Sequence, residues 1–204
     1  MSKLSDIHLI KADSLCQDWL TVQNTTIALL SSITNLLQQR SATMQSPSSL
    51  ISEETKSALF YKLTVVIEET LTKFKANCSR FRVIVKQMAA LDYEASKNAT
   101  YNLQEAETPN RANTSAALVA TATISDHQVS IFISQIHNMY AQECKYKTTL
   151  SNQLYQQPQL DASAVSDLLS LWSSQSHIDF SVERDMTECY TLYKKVKKVV
   201  EAKD

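Results

Sequence analysis

The chain of 204 residues contains no glycine, although average usage would supply about fourteen. Glycine is used where the backbone needs a positive φ angle or where a phosphate group approaches the main chain. Its absence argues against P-loops, dinucleotide-binding turns, G-x-S-x-G nucleophile elbows and the glycine-rich loops of kinases. Tight two-residue hairpins also depend on glycine, although Asn and Asp can replace it. The sequence therefore favours long helices joined by ordinary loops.

Acidic and basic residues are almost balanced, with twenty-one Asp and Glu against twenty Lys and Arg. Nucleic-acid binding depends mainly on neutralising phosphates, so this balance argues against a dedicated nucleic-acid-binding protein. The apolar fraction of 44% is near the globular average and predicts a folded core. No apolar run approaches the roughly 20 residues of a membrane span, and the N-terminus lacks an apolar signal segment. We therefore expect neither a membrane segment nor a secretion signal.

The cysteines are isolated from one another, and no C-x-x-C pair occurs among them. A disulfide framework or a zinc site would need closer grouping. We predict reduced thiols that pack as small apolar side chains in the cytosol or nucleus. They are Cys16, Cys78, Cys144 and Cys189.

Pro47, Pro109 and Pro158 lie in polar surroundings where helices should stop. They predict helix 1 in residues 1–46, a long helix 2 in residues 47–96 and helix 3 in residues 125–157. Residues 97–124 lose the helical periodicity and are predicted to form a long, flexible central loop. Residues 158–204 are predicted to hold a short Trp-bearing helix and a C-terminal helix. The predicted fold is a single all-α domain, an elongated helical bundle or coiled coil of about four long helices and one short helix.

Apolar residues recur every three or four positions in the predicted helices, which is the spacing of a helical seam. In helix 1 a second stripe that includes Leu20 widens the seam, and so wide a face is typical of a bundle helix. The seam of helix 2 runs from Phe60 to Met88. The seam of helix 1 consists of Leu15, Trp19, Val22, Thr26, Leu29, Ile33 and Leu36.

Short polar residues mark the predicted starts of three helices. Asp13 or Ser14 is predicted to cap helix 1, and Asp161 is predicted to cap the short helix. Ser125 and Gln128 have the spacing of a capping box at the start of helix 3.

No constellation of catalytic or metal-binding residues emerges from the sequence. The four histidines are scattered without paired ligand spacing, and the adjacent Glu68 and Glu69 diverge on a helix. Glu143 and Lys147 have the spacing of an ordinary i,i+4 ion pair. We therefore expect no enzymatic activity, no metal and no cofactor.

Lys194, Lys195, Lys197 and Lys198 form the densest basic cluster, here called the basic patch. One interpretation is contact with nucleic acid or with an acidic partner. The simpler one is that these lysines complement the dipole of a helix C-terminus.

Ser46 and Thr108 each precede a proline and are candidates for proline-directed phosphorylation in predicted loops. Thr108 is followed by Pro-Asn-Arg111, which supplies the basic residue that cyclin-dependent kinases prefer after the S/T-P core. A phosphate there would add about 2 negative charges and could pair with Arg111.

Residues 139–147 read Met-Tyr-Ala-Gln-Glu-Cys-Lys-Tyr-Lys, Leu154 follows one heptad on, and residues 167–172 read Asp-Leu-Leu-Ser-Leu-Trp. This order resembles the C-terminal half of the cyclin-dependent kinase 2-interacting protein family, with its M-Y-x-x-E-x-x-x-K and L-S-[ML]-W runs. Asp18-Trp19 in helix 1 and residues 87–91 at the end of helix 2 fit the family more loosely. For the two tryptophans, core anchoring is the simpler interpretation and an interface hot spot the alternative. The candidates for partner contact are Trp19, Met139, Tyr140, Glu143, Lys147, Leu169, Leu171 and Trp172.

The resemblance implies a nuclear, non-catalytic adaptor that can also occur in the cytoplasm. It implies association with cyclin-dependent and Cdc7-type kinases in DNA replication, and with a checkpoint kinase complex in DNA damage signalling. It also implies a place in a complex of AAA+ ATPases, linked to replisome protein turnover and ribosome biogenesis, beside a second small helical subunit. Two other classes stay open. One is a nucleic-acid-binding replication factor that uses the basic patch, and the other is a vesicle-tethering coiled coil, for which no anchor is evident.

Overall fold

The structure, a computed structural model, describes residues 3–105, 124–156 and 160–201. These residues form five helices and no strand, which confirms the predicted all-α fold for the described part of the chain. Among the described helices, none combines the length and the apolar composition that a membrane crossing requires. The helices are α1 (Lys3–Gln45), α2 (Glu53–Glu105), α3 (Asp126–Gln156), α4 (Ala162–Ser174) and α5 (Phe180–Glu201).

Helix α1 begins at Lys3, so the prediction that Asp13 or Ser14 caps it is wrong. The reason is that Leu9 and Ala12 are buried and extend the apolar stripe towards the N-terminus. The helix ends at Gln45, two residues before Pro47, as the proline predicts.

Helix α2 continues to Glu105, so the predicted loop is wrong for residues 97–105. Small residues carry the buried face here, including Ala95 and Ala99, and their low hydrophobicity conceals the helical period. The rest of the predicted loop, residues 106–123, lies outside the described residues.

The predicted caps of α3 and α4 have different outcomes. Ser125 Oγ accepts the backbone N–H of Gln128 at 3.1 Å, which confirms the cap of α3. The Asp161 side chain makes no capping hydrogen bond, although its backbone carbonyl accepts the Val165 N–H at 3.1 Å. Asp161 therefore occupies the N-cap position of α4 with extended backbone, as predicted, although its side chain makes no capping hydrogen bond.

The described helices divide into two compact units, while the single-domain organisation stays a prediction. The first compact unit comprises the described residues of Met1–Asp18, Ile84–Gln142 and His177–Asp204. Its buried apolar side chains come from α1, α2, α3 and α5, as expected for helices with one apolar stripe each. They include Leu9, Cys16, Ile84, Met88, Leu91, Val129, Ile133, Ile136, Met139, Tyr140, Met186 and Tyr193.

The second compact unit comprises the described residues of Trp19–Val83 and Glu143–Ser176. Its core is rich in aromatic residues and draws on α1, α2, α3 and α4. The predicted seams supply most of it, but Leu20 and Phe60 are exposed, at 44% and 37% of their surface, so their prediction as seam residues is wrong. The buried apolar side chains include Trp19, Val22, Leu30, Ile33, Leu37, Ile67, Phe74, Phe81, Cys144, Leu150, Leu154, Val165, Leu168 and Trp172.

Candidate functional site

Trp172, near the end of α4, is the central residue of the second compact unit and is fully buried. Its indole N–H donates to the Thr26 hydroxyl oxygen at 2.9 Å. Its backbone carbonyl lies in the last turn of α4, where helical carbonyls have no intrahelical partner. Gln23 Nε2 and Lys147 Nζ both donate to this carbonyl, at 2.9 Å and 2.7 Å. Side chains of α1 and α3 thus satisfy the polar groups that α4 leaves open.

Glu143 and Lys147 form an ion pair inside the second compact unit, with 3.2 Å between Oε1 and Nζ. This confirms the predicted i,i+4 pair, and with side chains 0% and 2% exposed the pair is buried. The Lys147 ammonium also lies 4.5 Å from the ring centroid of Trp172 and 5.8 Å from that of Phe81. Burial lowers the pKa of Lys147, and the Glu143 carboxylate opposes that effect.

Trp19 is anchored in a similar way, through its ring and its indole N–H. The ring centroid lies 4.3 Å from that of Phe81, and the N–H donates to Gln175 Oε1 at 3.0 Å. Gln175 is the residue after α4 and has left-handed backbone, with a φ of 44° and a ψ of 50°. Glycine is the usual residue for this conformation at the end of a helix. Here a glutamine adopts it and uses its side chain to hold a tryptophan.

In the first compact unit, Tyr140 of α3 donates its hydroxyl to Glu183 Oε1 of α5 at 2.6 Å. Burial raises the pKa of Glu183, although the Tyr140 hydrogen bond favours the ionised carboxylate. Burial also raises the pKa of the neighbouring Cys16 thiol to about 12, and the Glu183 carboxylate adds to that rise. Cys16 is therefore an inert thiol at neutral pH, because the thiolate is the reactive form.

Two histidines of the first compact unit face carboxylates. Asp92 of α2 accepts a hydrogen bond from Ser134 and lies 2.9 Å from His137 Nδ1. His8 is 2% exposed, and its Nε2 lies 3.9 Å from Glu94 Oε2. Burial lowers the pKa of His8 against the opposing effect of Glu94. In the first group both Ser134 and His137 bind the carboxylate, so the serine is not activated by the histidine as a nucleophile would be.

Six of the eight candidates for partner contact are enclosed by their own chain. In this conformation they serve as core residues, and their contact with a partner stays a prediction. Leu169 is half-buried, and Leu171 is 48% exposed on the surface of α4. The enclosed six are Trp19, Met139, Tyr140, Glu143, Lys147 and Trp172.

The two phosphorylation candidates differ in what the structure describes. Ser46 follows the last residue of α1, and its hydroxyl donates to the Ala42 carbonyl at 2.9 Å. Thr108 lies outside the described residues. Phosphorylation of either stays a prediction.

The basic patch lies in the last turns of α5, as predicted. Lys194, Lys195 and Lys198 are exposed, and the Lys194 ammonium lies 4.2 Å from the Tyr190 ring centroid. Lys197 belongs to the helix, and its side chain is not described.

Three polar residues of these networks have no signal in the sequence pattern. Gln23 and Gln175 bind the two tryptophans, and Glu183 binds Tyr140. Thr26, by contrast, occupies a predicted seam position, and a polar residue in an apolar seam is a usable sign of a buried hydrogen bond.

Within residues 3–105, 124–156 and 160–201, no group of three or more His, Cys, Asp or Glu side chains is placed to hold a metal ion. No protein-family model matches the chain, and no curated protein matches it.

Proposed function

We propose that this protein is a non-catalytic helical adaptor of the kind that the resemblance to the cyclin-dependent kinase 2-interacting protein family implies. The observation that carries the proposal is that Lys147 contacts both Glu143 and the Trp172 carbonyl. These residues come from the two separate runs on which the resemblance depends. Their spacing therefore has a physical reason, since it brings a buried cation to the open carbonyl of α4.

In the proposed role the protein links cyclin-dependent and Cdc7-type kinases with DNA replication, and it links a checkpoint kinase complex with DNA damage. It is also a subunit of a nuclear AAA+ ATPase complex, where a second small helical subunit packs against it. Leu169 and Leu171 of α4 support the proposal, because they leave apolar surface uncovered on a helix that is otherwise anchored. Partly exposed leucines on a rigid helix are suited to packing against a partner helix.

Co-expression with the small helical subunit of the family tests this proposal, with size-exclusion chromatography and light scattering as readout. We expect a stable heterodimer of wild-type protein. Leu171→Asp should weaken the heterodimer without loss of helicity, because Leu171 is 48% exposed. Ser166→Asp is the matched control, since it adds the same charge at another exposed position of α4. Two separately migrating monomers of the wild-type proteins would overturn the proposal.

Direct nucleic-acid binding is the competing function, and the exposure of Lys194, Lys195 and Lys198 favours it. Binding through so few lysines would be weak and strongly dependent on salt, because each phosphate contact releases counterions. Fluorescence anisotropy with labelled single- and double-stranded DNA at 50 and 200 mM salt distinguishes the two functions. Salt-dependent binding that disappears when the three lysines become glutamine would favour the replication factor.

A further inference from the structure

The second compact unit contains a cavity of about 90 Å³ beside Trp172. Phe81 and Trp172 supply its apolar wall, and polar residues of α2 and α3 supply the rest. A single buried water needs only about 10–15 Å³ on this measure. The cavity is therefore large enough for several waters or for one small polyatomic ligand.

The charged residues that line this cavity are all positive. Lys75 and Arg82 come from α2 and are exposed at its rim, while Lys147 comes from α3 and is buried. Among the described residues, no aspartate or glutamate lines the cavity. Glu143 forms an ion pair with Lys147, whereas Lys75 and Arg82 form no such pair with a described lining residue.

Two thiols also line the cavity and add no negative charge to it at neutral pH. Burial raises the pKa of Cys78 to about 11, and burial likewise raises the pKa of Cys144. The positive charges of Arg82 and Lys147 act on both thiols in the opposite direction, while the Glu143 carboxylate adds to the rise in the pKa of Cys144.

We propose that this cavity binds a tetrahedral oxyanion, namely a phosphoryl group of inorganic phosphate or of a phosphomonoester. The guanidinium of Arg82 makes no ion pair or hydrogen bond within the described residues, so its donor fork is available. Such a fork binds phosphate oxygens in pairs. Ser151 and Asn152 line the same wall of α3 and add neutral polar groups beside the charges. This binding site does not depend on the proposed adaptor role.

Titration of the full chain with sodium phosphate tests this proposal, with sodium chloride at equal ionic strength as the reference. Intrinsic fluorescence reports binding because Trp172 lines the cavity, and isothermal titration calorimetry provides the affinity. Arg82→Gln should weaken phosphate binding at least about tenfold, the loss expected for one charge-assisted hydrogen bond. Arg80→Gln is the matched control, because Arg80 is exposed on the same helix and, within the described part of the chain, bonds only Asn77 at 3.3 Å.

Circular dichroism establishes that both variants retain their helicity. Binding that saturates in the wild type and in Arg80→Gln, and that is lost in Arg82→Gln, supports the site. A parallel titration with phosphoserine assigns the source of the phosphoryl group. Tighter binding of phosphoserine than of phosphate would indicate a phosphomonoester, and the opposite order would indicate inorganic phosphate. A response to phosphate no larger than that to chloride, or equal weakening by both substitutions, would overturn the proposal.

Discussion

Replacing Lys147 with methionine should destabilise the protein by about 3–5 kcal/mol, the cost of leaving one member of a buried ion pair without its partner. The structure supports a value in that range, because Glu143 is 0% exposed and its carboxylate would lose the ammonium that lies 3.2 Å away. Methionine matches the lysine side chain as far as Cε and removes the ammonium that lies over the Trp172 and Phe81 rings. The Trp172 carbonyl keeps one donor, Gln23 Nε2 at 2.9 Å, so loss of the Lys147 hydrogen bond to this carbonyl adds little to the destabilisation.

The double variant Glu143→Leu/Lys147→Met isolates the charge from the packing. Replacement of both members by apolar residues is often neutral or stabilising, so we expect the double variant to recover to within about 1–2 kcal/mol of the wild type. The exposed pair Arg184 and Glu188 in α5 is the control, with side chains 67% and 71% exposed. Its removal should change stability by no more than about 0.5 kcal/mol.

Urea unfolding followed by circular dichroism at 222 nm measures all of these variants. A loss of less than about 1 kcal/mol in Lys147→Met would contradict a buried ion pair, because a solvated pair would behave in that way. A double variant no more stable than Lys147→Met alone would also contradict it, since the cost would then come from packing and not from charge.

Three further predictions concern other residues. His8 has a pKa below the ordinary 6.5, so the unfolded state binds more protons and stability should fall as the pH drops below 6.5. Urea unfolding should show that His8→Gln flattens this pH dependence, whereas the exposed control His127→Gln should leave it unchanged. Alkylation with iodoacetamide followed by mass spectrometry should modify Cys16 last among the four cysteines, because burial raises its pKa to about 12; fast labelling of native Cys16 would contradict this. Gln175→Gly should be about 1 kcal/mol more stable than Gln175→Ala in thermal unfolding, because both variants lose the hydrogen bond to Trp19 and only glycine adopts left-handed backbone without strain. Equal melting temperatures of the two variants would show that residue 175 carries no backbone strain.

The helical class and most of the buried faces could be predicted because helical periodicity is a local property of the sequence. Val22, Phe74 and Trp172 occupy seam positions, and their burial follows from spacing alone. The end of α2 could not be predicted, because Ala95 and Ala99 are too small to produce a periodic signal although both are buried. Predictions from periodicity therefore fail where a helix packs through small residues.

The candidate site was less accessible to prediction, because its polar contacts depend on residues distant in sequence. Glu143 and Lys147 have the spacing of a surface pair, and only the approach of the Trp172 carbonyl explains why the lysine is buried. Gln175 has left-handed backbone in a chain without glycine, and nothing in its neighbours indicates that conformation. Charge and composition are known from the sequence, whereas burial of a charge is decided by tertiary structure.

The bonds of Trp172 also have a consequence for the order in which this protein can fold during synthesis. Its partners Gln23 and Thr26 precede it by 149 and 146 residues, so they leave the ribosome long before α4 does. Until then, Phe74 and Phe81 lack the indole ring that packs at 5.1 Å and 6.1 Å from theirs. Exposed apolar surface of this kind is what chaperones recognise and what aggregates in incomplete chains. A nascent chain that stalls before residue 172 should therefore depend on chaperones, and the second compact unit should become stable only after α4 has been synthesised.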